Sequence, residues 1–370
     1  MRLKNEDLYF WSFKNKQPRS TYNILLMETE KELEYNYFLN FFQNNSITKK
    51  FIDLKEPYIY TNDERYFNNF YKNITDLGHK ENQSYPNNWY NLIDLDSVFS
   101  IIYINKKYLY FFLDHVAIDG IATAKLIWNF FNLEKLDVYD RLPSINKKWY
   151  HNLILLKCLK LKRNIKLDLP SINPNSFRDI LQLSNVLNLK KKMNCSFQVA
   201  LGSILVHNLF KNLNTKKLTI GHIVGINTKE GNFNEYSVVL LNLKKNDDLK
   251  SVCKNYQSEF KKNLFQITGN YIVMDNYNKF SKLKMKFIEH LRQKIDVVIS
   301  IGKLANNDII ISKNNKINIQ SLHLSEVSFP FYIGALSIGQ EILLNYVSRL
   351  SNFKHLYKFN TQQKYCYTLE

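Results

Sequence analysis

Residues 110–131 read YFFLDHVAIDGIATAKLIWNFF and place His115 and Asp119 four positions apart, with Gly120 directly after. An imidazole with its ordinary pKa of about 6.5 can take a proton from a hydroxyl or an amine attacking an ester-like carbon. Such a base must be held at a fixed angle. An aspartate can do this by binding backbone amides, and a glycine by freeing the turn from φ limits. A buried structural histidine is the plain alternative. An HxxxDG string is expected in about one chain in a hundred of this composition. None of the other seven histidines has an aspartate at that spacing.

The flanking residues say which elements must position this turn. DSVFSIIYI and KYLYFFLD, separated by Asn105-Lys106-Lys107, read as a β-hairpin. After Gly120, the residues Ile121, Ala124, Ile127, Trp128 and Phe131 recur at helical spacing. His115 therefore belongs to a strand-to-helix connection. Residues 132–175 contain Pro143, Pro170 and Pro174, lack strand-like alternation, and read as a crossover between two domains, 1–165 and 166–370. Within it, WYHNLILLKCLKLKRN fits a helix packed on a domain surface or an amphipathic helix lying on a membrane.

Further along, Ser176 followed by Asp179 predicts a capped helix through about Lys192, and Ser196 caps another. KLTIGHIVGIN and EYSVVLLNLK read as strands, followed by helices over DDLKSVCKNYQSEFKKNLF and NKFSKLKMKFIEHLRQK. The chain then returns to strands at IDVVISIG, KINIQSLHLSE, PFYIGALSI and EILLNYVSRL, the last two joined through Gly339. Irregular alternation with hairpins predicts an α/β sandwich of mixed sheets rather than a doubly wound parallel sheet.

Composition narrows the function classes. The 370 residues are 45% hydrophobic and 14% aromatic, enough for a substantial core. Four dispersed cysteines, Cys158, Cys195, Cys253 and Cys366, form no CxxC pair and indicate neither a disulfide framework nor a zinc site. A reducing, cytoplasmic setting and no metal are the expectation. The formal charge of +18 comes from scattered lysines interleaved with asparagines, the pattern of a solvated surface rather than a nucleic-acid interface. No apolar run is long enough to span a membrane. Peripheral association with a membrane or lipid droplet, and a monomeric state, complete these expectations.

With the motif and its setting in place, the sequence resembles the CoA-dependent acyltransferase superfamily, which includes chloramphenicol acetyltransferase, condensation domains and fungal alcohol acetyltransferases. The resemblance rests on His115-Val116-Ala117-Ile118-Asp119-Gly120, on SNVLNLKKKMNCSFQVALGSILVHNLFKNLNTKKLTIGHIVGIN, and on IDVVISIGKL, where Ser300-Ile301-Gly302 stands at the fungal Ser-Asn-x-Gly. It reaches from about residue 98 to the C-terminus. The plant-type DFGWG is absent, and Asn227, with Lys229 nearby, stands where an arginine often pairs with the motif aspartate.

The resemblance implies two chloramphenicol-acetyltransferase-like α/β sandwich domains with a channel between them. It makes His115 the general base, Asp119 and Gly120 structural, and Ser300 a candidate donor to the oxyanion. Acetyl-CoA is the implied cosubstrate. The expected reaction is O-acetylation of small or medium-chain alcohols, with direct attack on the thioester and a pocket lined by Phe111, Phe112, Ile118 and Val297-Val298-Ile299. N-acetylation of a hydrophobic amine and a non-catalytic lipid- or partner-binding role are the alternatives.

Overall fold

The computed structural model describes residues 14, 22–33, 41, 44–56, 58–62, 64, 93–104, 107–131, 133, 162–165, 175–225, 236–264, 293–310, 315–324 and 329–348. The chain divides into two compact units, one of residues 1–137, 230–235 and 308–326, the other of 138–229, 236–307 and 327–370.

The first unit is built on an antiparallel sheet of order β10-β11-β1-β5-β4, from β1 (Tyr22–Thr29), β4 (Phe99–Ile104), β5 (Tyr108–Asp114), β10 (Ile309–Ile310) and β11 (Lys316–Leu324). The short strands β2 (Lys50–Ile52) and β3 (Ile59–Thr61) pair separately. Side chains alternate across a strand, and both faces of this sheet are apolar. On one face Phe111 meets Phe130 of the helix α1 (Gly120–Phe131) edge-on at 5.0 Å, and Phe99 at 5.7 Å. On the other, Tyr22, Ile24, Leu26, Ile102, Tyr110 and Phe112 form a second cluster.

The second unit carries a mixed sheet of order β6-β13-β12-β9-β7-β8. Its strands are β6 (Asn175–Gln182), β7 (Lys217–Gly225), β8 (Tyr236–Lys244), β9 (Val297–Ala305), β12 (Phe331–Ile338) and β13 (Glu341–Ser348). The β12/β9 and β9/β7 pairs are parallel; the other pairs are antiparallel. Helices α2 (Leu183–Met193), α3 (Phe197–Asn212) and α4 (Leu249–Asn263) contribute to the main core with Val297, Ile299, Ile333 and Leu344 from the strands. Alternate residues such as Val298, Leu240 and Val347 form a smaller cluster with Ile295 and Phe329.

The mixed α/β class, the hairpin, the helix after the motif, the Ser196 cap and the turn at Gly339 are as expected. Ser196 Oγ accepts from Val199 N at 3.2 Å, and Gly339 has φ 54°. Three corrections follow from pairing. Residues 175–182 are a strand: their full-length ladder with β13 outweighs the local capping signal, and the helix starts at Leu183. The Asp179 carboxylate accepts from Ile180 N, its own neighbour, instead of capping a helix. The strand in KINIQSLHLSE lies within 166–370 yet pairs with β1, so the division at 165/166 follows chain order and not the sheets. The helix expected over 278–294 and most of the crossover at 132–175 lie outside the described residues.

Two buried polar side chains inside the second unit meet each other. The Tyr256 hydroxyl and His222 Nδ1 share a hydrogen bond at 2.6 Å, both side chains being fully buried. Glycine is required beside them, because a Cβ at Gly202 would stand 2.6 Å from the Tyr256 ring. Burial pushes His222 down to about 4, and it also lowers His207. The folded state therefore holds His222 neutral, while the unfolded chain takes up a proton below about pH 6.5. Stability is complete above that pH and is lost as pH falls from about 6.5 to 4, by up to about 3 kcal/mol from this one group. Urea unfolding should give a lower free energy at about pH 5 than at about pH 7.5, and a shallower dependence in His222→Leu/Tyr256→Phe, which removes both polar partners together. An unchanged slope in that variant would assign the pH dependence to other groups.

Candidate active site

Strand β5 delivers Asp114 at its C-terminal end, and after five intervening residues the chain enters α1. The connection is held from both sides by carboxylates. Asp114 Oδ1 accepts from Val116 N at 3.0 Å, and the Asp114 carbonyl accepts from Ala117 N at 3.0 Å and Ile118 N at 2.8 Å. Asp119 Oδ1 accepts from Ala122 N at 2.7 Å, which makes Asp119 the N-cap of α1. Both aspartates are buried, as are Val116, Ala117 and Ile118. His115 alone among residues 113–119 is partly exposed, although its Nδ1 is buried, and Gly120 at the start of α1 is exposed.

The Asp114 carboxylate is fully buried and pairs through Oδ2 with the equally buried Lys14 ammonium. The same ammonium donates to Leu95 O, lies 3.4 Å from the Tyr22 hydroxyl, and sits 4.6 Å from the Tyr22 ring centroid. Lysine has three N–H donors, and these contacts use all three. Sequence reasoning missed both Lys14 and Asp114; the Asp-His pair within LDHVAIDG was the available signal.

The structural part expected of Asp119 is here the cap on α1. Gly120 does not: Gly339 is the one glycine with positive φ among the described residues. Gly120 is the first helical residue, where any L-residue fits, and a Cβ there would meet nothing within 4 Å. The supposed lining residues are core: Phe111 packs on Phe130, Phe112 on Tyr22, Ile118 is fully buried, and Val297 and Ile299 belong to the main core of the second unit.

Ser300 lies on β9 in the second unit, half-buried, and shares a strand face with Val298. Near it is Tyr332, a residue that sequence reasoning missed, whose phenol is pushed up to about 12 by burial and pulled back in part by Ser300. A phenol held neutral in this way can serve as a donor. Asn227 and Lys229 lie outside the described residues. Among the described residues no cluster of three or more His, Cys, Asp or Glu side chains could hold a metal, and no helix is long and apolar enough to cross a membrane.

No family model and no curated protein sequence matches this chain. Solved structures do. The TRI3 trichothecene 15-O-acetyltransferase from Fusarium sporotrichioides aligns with a TM-score of 0.65 at 11% identity over 94% of this chain and 90% of its own. A mutant starter condensation domain of rhizomide synthetase RzmA, in complex with C8-CoA and Leu-SNAC, aligns at 0.61 and 9% identity over 96% and 89%. The first condensation domain of the CDA synthetase aligns at 0.59 and 8% identity over 93% and 92%. The chain has the condensation-domain and acetyltransferase fold. At these identities the likeness to the acetyltransferase and the two condensation domains is one of architecture.

The two ends of the turn can be tested by substitution. Asp119→Ala removes the cap and should lower stability by about 1–2 kcal/mol, whereas Asp119→Asn, an equally good cap, should cost less. Gly120→Ala should leave the melting temperature unchanged or raised, since alanine replaces a flexible glycine in open space. A substantial loss of stability in Gly120→Ala would show that the turn is strained there after all.

Proposed function

We propose that the protein is a CoA-dependent acyltransferase that moves an acetyl group from acetyl-CoA to a small or medium-chain alcohol, with His115 as general base. One observation carries this reading: in a turn whose other side chains are buried and tied down, His115 alone is partly exposed. A structural histidine would be expected to share the burial of its neighbours. Support comes from the fold, shared with a protein named as an O-acetyltransferase and with a condensation domain in complex with an acyl-CoA.

The reaction needs no covalent enzyme intermediate. The neutral imidazole accepts the proton of the acceptor hydroxyl as its oxygen attacks the thioester carbonyl. The carbonyl π-electrons pass to oxygen, and the resulting oxyanion requires a hydrogen-bond donor. Ser300 is our candidate for that donor. Collapse of the tetrahedral species breaks the carbon–sulfur bond, and the departing thiolate takes the proton back from the imidazolium. An amine acceptor would follow the same steps, and the condensation-domain neighbours support this second reading.

Purified protein supplied with acetyl-CoA and a panel of alcohols and amines should release free thiol and form an acetylated product in equal amounts. His115→Ala should lose roughly 100- to 10,000-fold in rate without loss of fold. Ethanol, isoamyl alcohol, 2-phenylethanol and a long-chain amine, compared by kcat/KM, separate the two readings. A rise of roughly 10- to 200-fold per favourable apolar step across the alcohols supports ester formation. Turnover confined to the amine would replace it with N-acetylation.

A further inference from the structure

We infer that the buried Lys14–Asp114 pair is the positioning device for His115: Asp114 fixes the turn through its bond to Val116 N, and Lys14 makes the burial of that carboxylate possible. The inference rests on the proposed role of His115 as base. Asp114 and Val116 are its two chain neighbours, so a hydrogen bond between them at 3.0 Å spans His115 and restricts its backbone on both sides. Both members of the ion pair are fully buried. An unmatched carboxylate there would be costly, and one matched only by a lysine would leave the ammonium short of acceptors. Leu95 O and the Tyr22 hydroxyl supply those acceptors. Tyr22 also faces Asp114 across the β1/β5 ladder, so the strand register itself brings the cluster together.

This cluster does more than fill space. An apolar pair of the same size would pack as well, but it would leave Val116 N without an acceptor and His115 without its bridge. The distinction can be read directly, because neutral double variants avoid any unpaired buried charge. Lys14→Met/Asp114→Asn keeps an acceptor oxygen for Val116 N. Lys14→Met/Asp114→Leu deletes it, and Lys14→Met/Asp114→Ala makes the same deletion with less bulk should leucine not fit.

Each folded variant would be measured for kcat, for KM with acetyl-CoA and the acceptor, and for the rate at which diethyl pyrocarbonate modifies His115, followed by peptide mass. The asparagine variant should keep kcat within about threefold of wild type, while the leucine or alanine variant should lose roughly 10- to 100-fold in kcat with both KM values within about threefold. Modification of His115 should change by about threefold or more in the acceptor-deleted variant and stay near wild type in the asparagine variant. Equal kcat and equal modification in the two kinds of variant would overturn the inference. If wild type transfers no acyl group at all, the acyltransferase reading fails, and the modification rates alone still decide whether Asp114 positions His115.

Discussion

A carboxylate taken wholly out of water must be matched in charge and in hydrogen bonds, and much of the first unit is arranged to do this for Asp114. Its charge is met by Lys14, and its remaining oxygen by Val116 N. Lys14 in turn draws in Leu95 O and Tyr22, whose hydroxyl lies 2.8 Å from Leu95 O and 2.7 Å from Ser97 O. One ion pair thus ties residue 14, strand β1, the approach to β4 and the end of β5 to a single point. Just beyond that point the chain turns, and Asp119 closes the turn by capping α1. With both ends fixed and Val116, Ala117 and Ile118 buried, His115 is the one partly exposed residue of the connection before α1.

The second unit follows the same rule at a different place. Asp296, fully buried where the chain enters β9, accepts from Ile165 N, Thr219 N and both the backbone and side-chain nitrogens of Asn164, each at 2.8 Å. The incoming segment at 162–165 is thereby fastened to β7 and β9. Main-chain bonds from Asp296 N to Thr219 O and from Phe331 N to Asp296 O extend the junction to β12. Beside the main core, on the strand face shared by Val298 and Tyr332, this stiff sheet carries the Ser300–Tyr332 pair.

The sequence carried the local features well and the long-range ones poorly. His115, its hairpin and its helix were legible because the motif, the strand composition and the apolar spacing of α1 all lie within some 35 residues. The Asp119 cap was legible for the same reason. Strand β1 was not identified, although it sits at the centre of its sheet, and β11 was placed with the wrong half because its partner β1 is nearly 300 residues away. The strand at 175–182 was mistaken for a helix because Ser176 and Asp179 give a local capping signal, while the evidence for a strand is its ladder with β13. The pairing of Lys14 with Asp114 was invisible for a related reason: a buried pair 100 residues apart leaves no spacing to read. Gly120 shows the opposite failure, since its freedom in φ was inferred from residue type and the helix start makes no use of it.

The central claim is that this turn presents His115 as a base for direct transfer, with the acyl group passing from sulfur to acceptor and never to the protein. Rapid mixing of the protein with isotopically labelled acetyl-CoA, followed by free-thiol release and intact-protein mass, tests it most directly. Direct transfer predicts negligible thiol release until an acceptor is added, then thiol and product in step, with no label on the protein. A burst of thiol without acceptor, matched by an acetyl group attached to the protein, would contradict it by making a side chain the nucleophile.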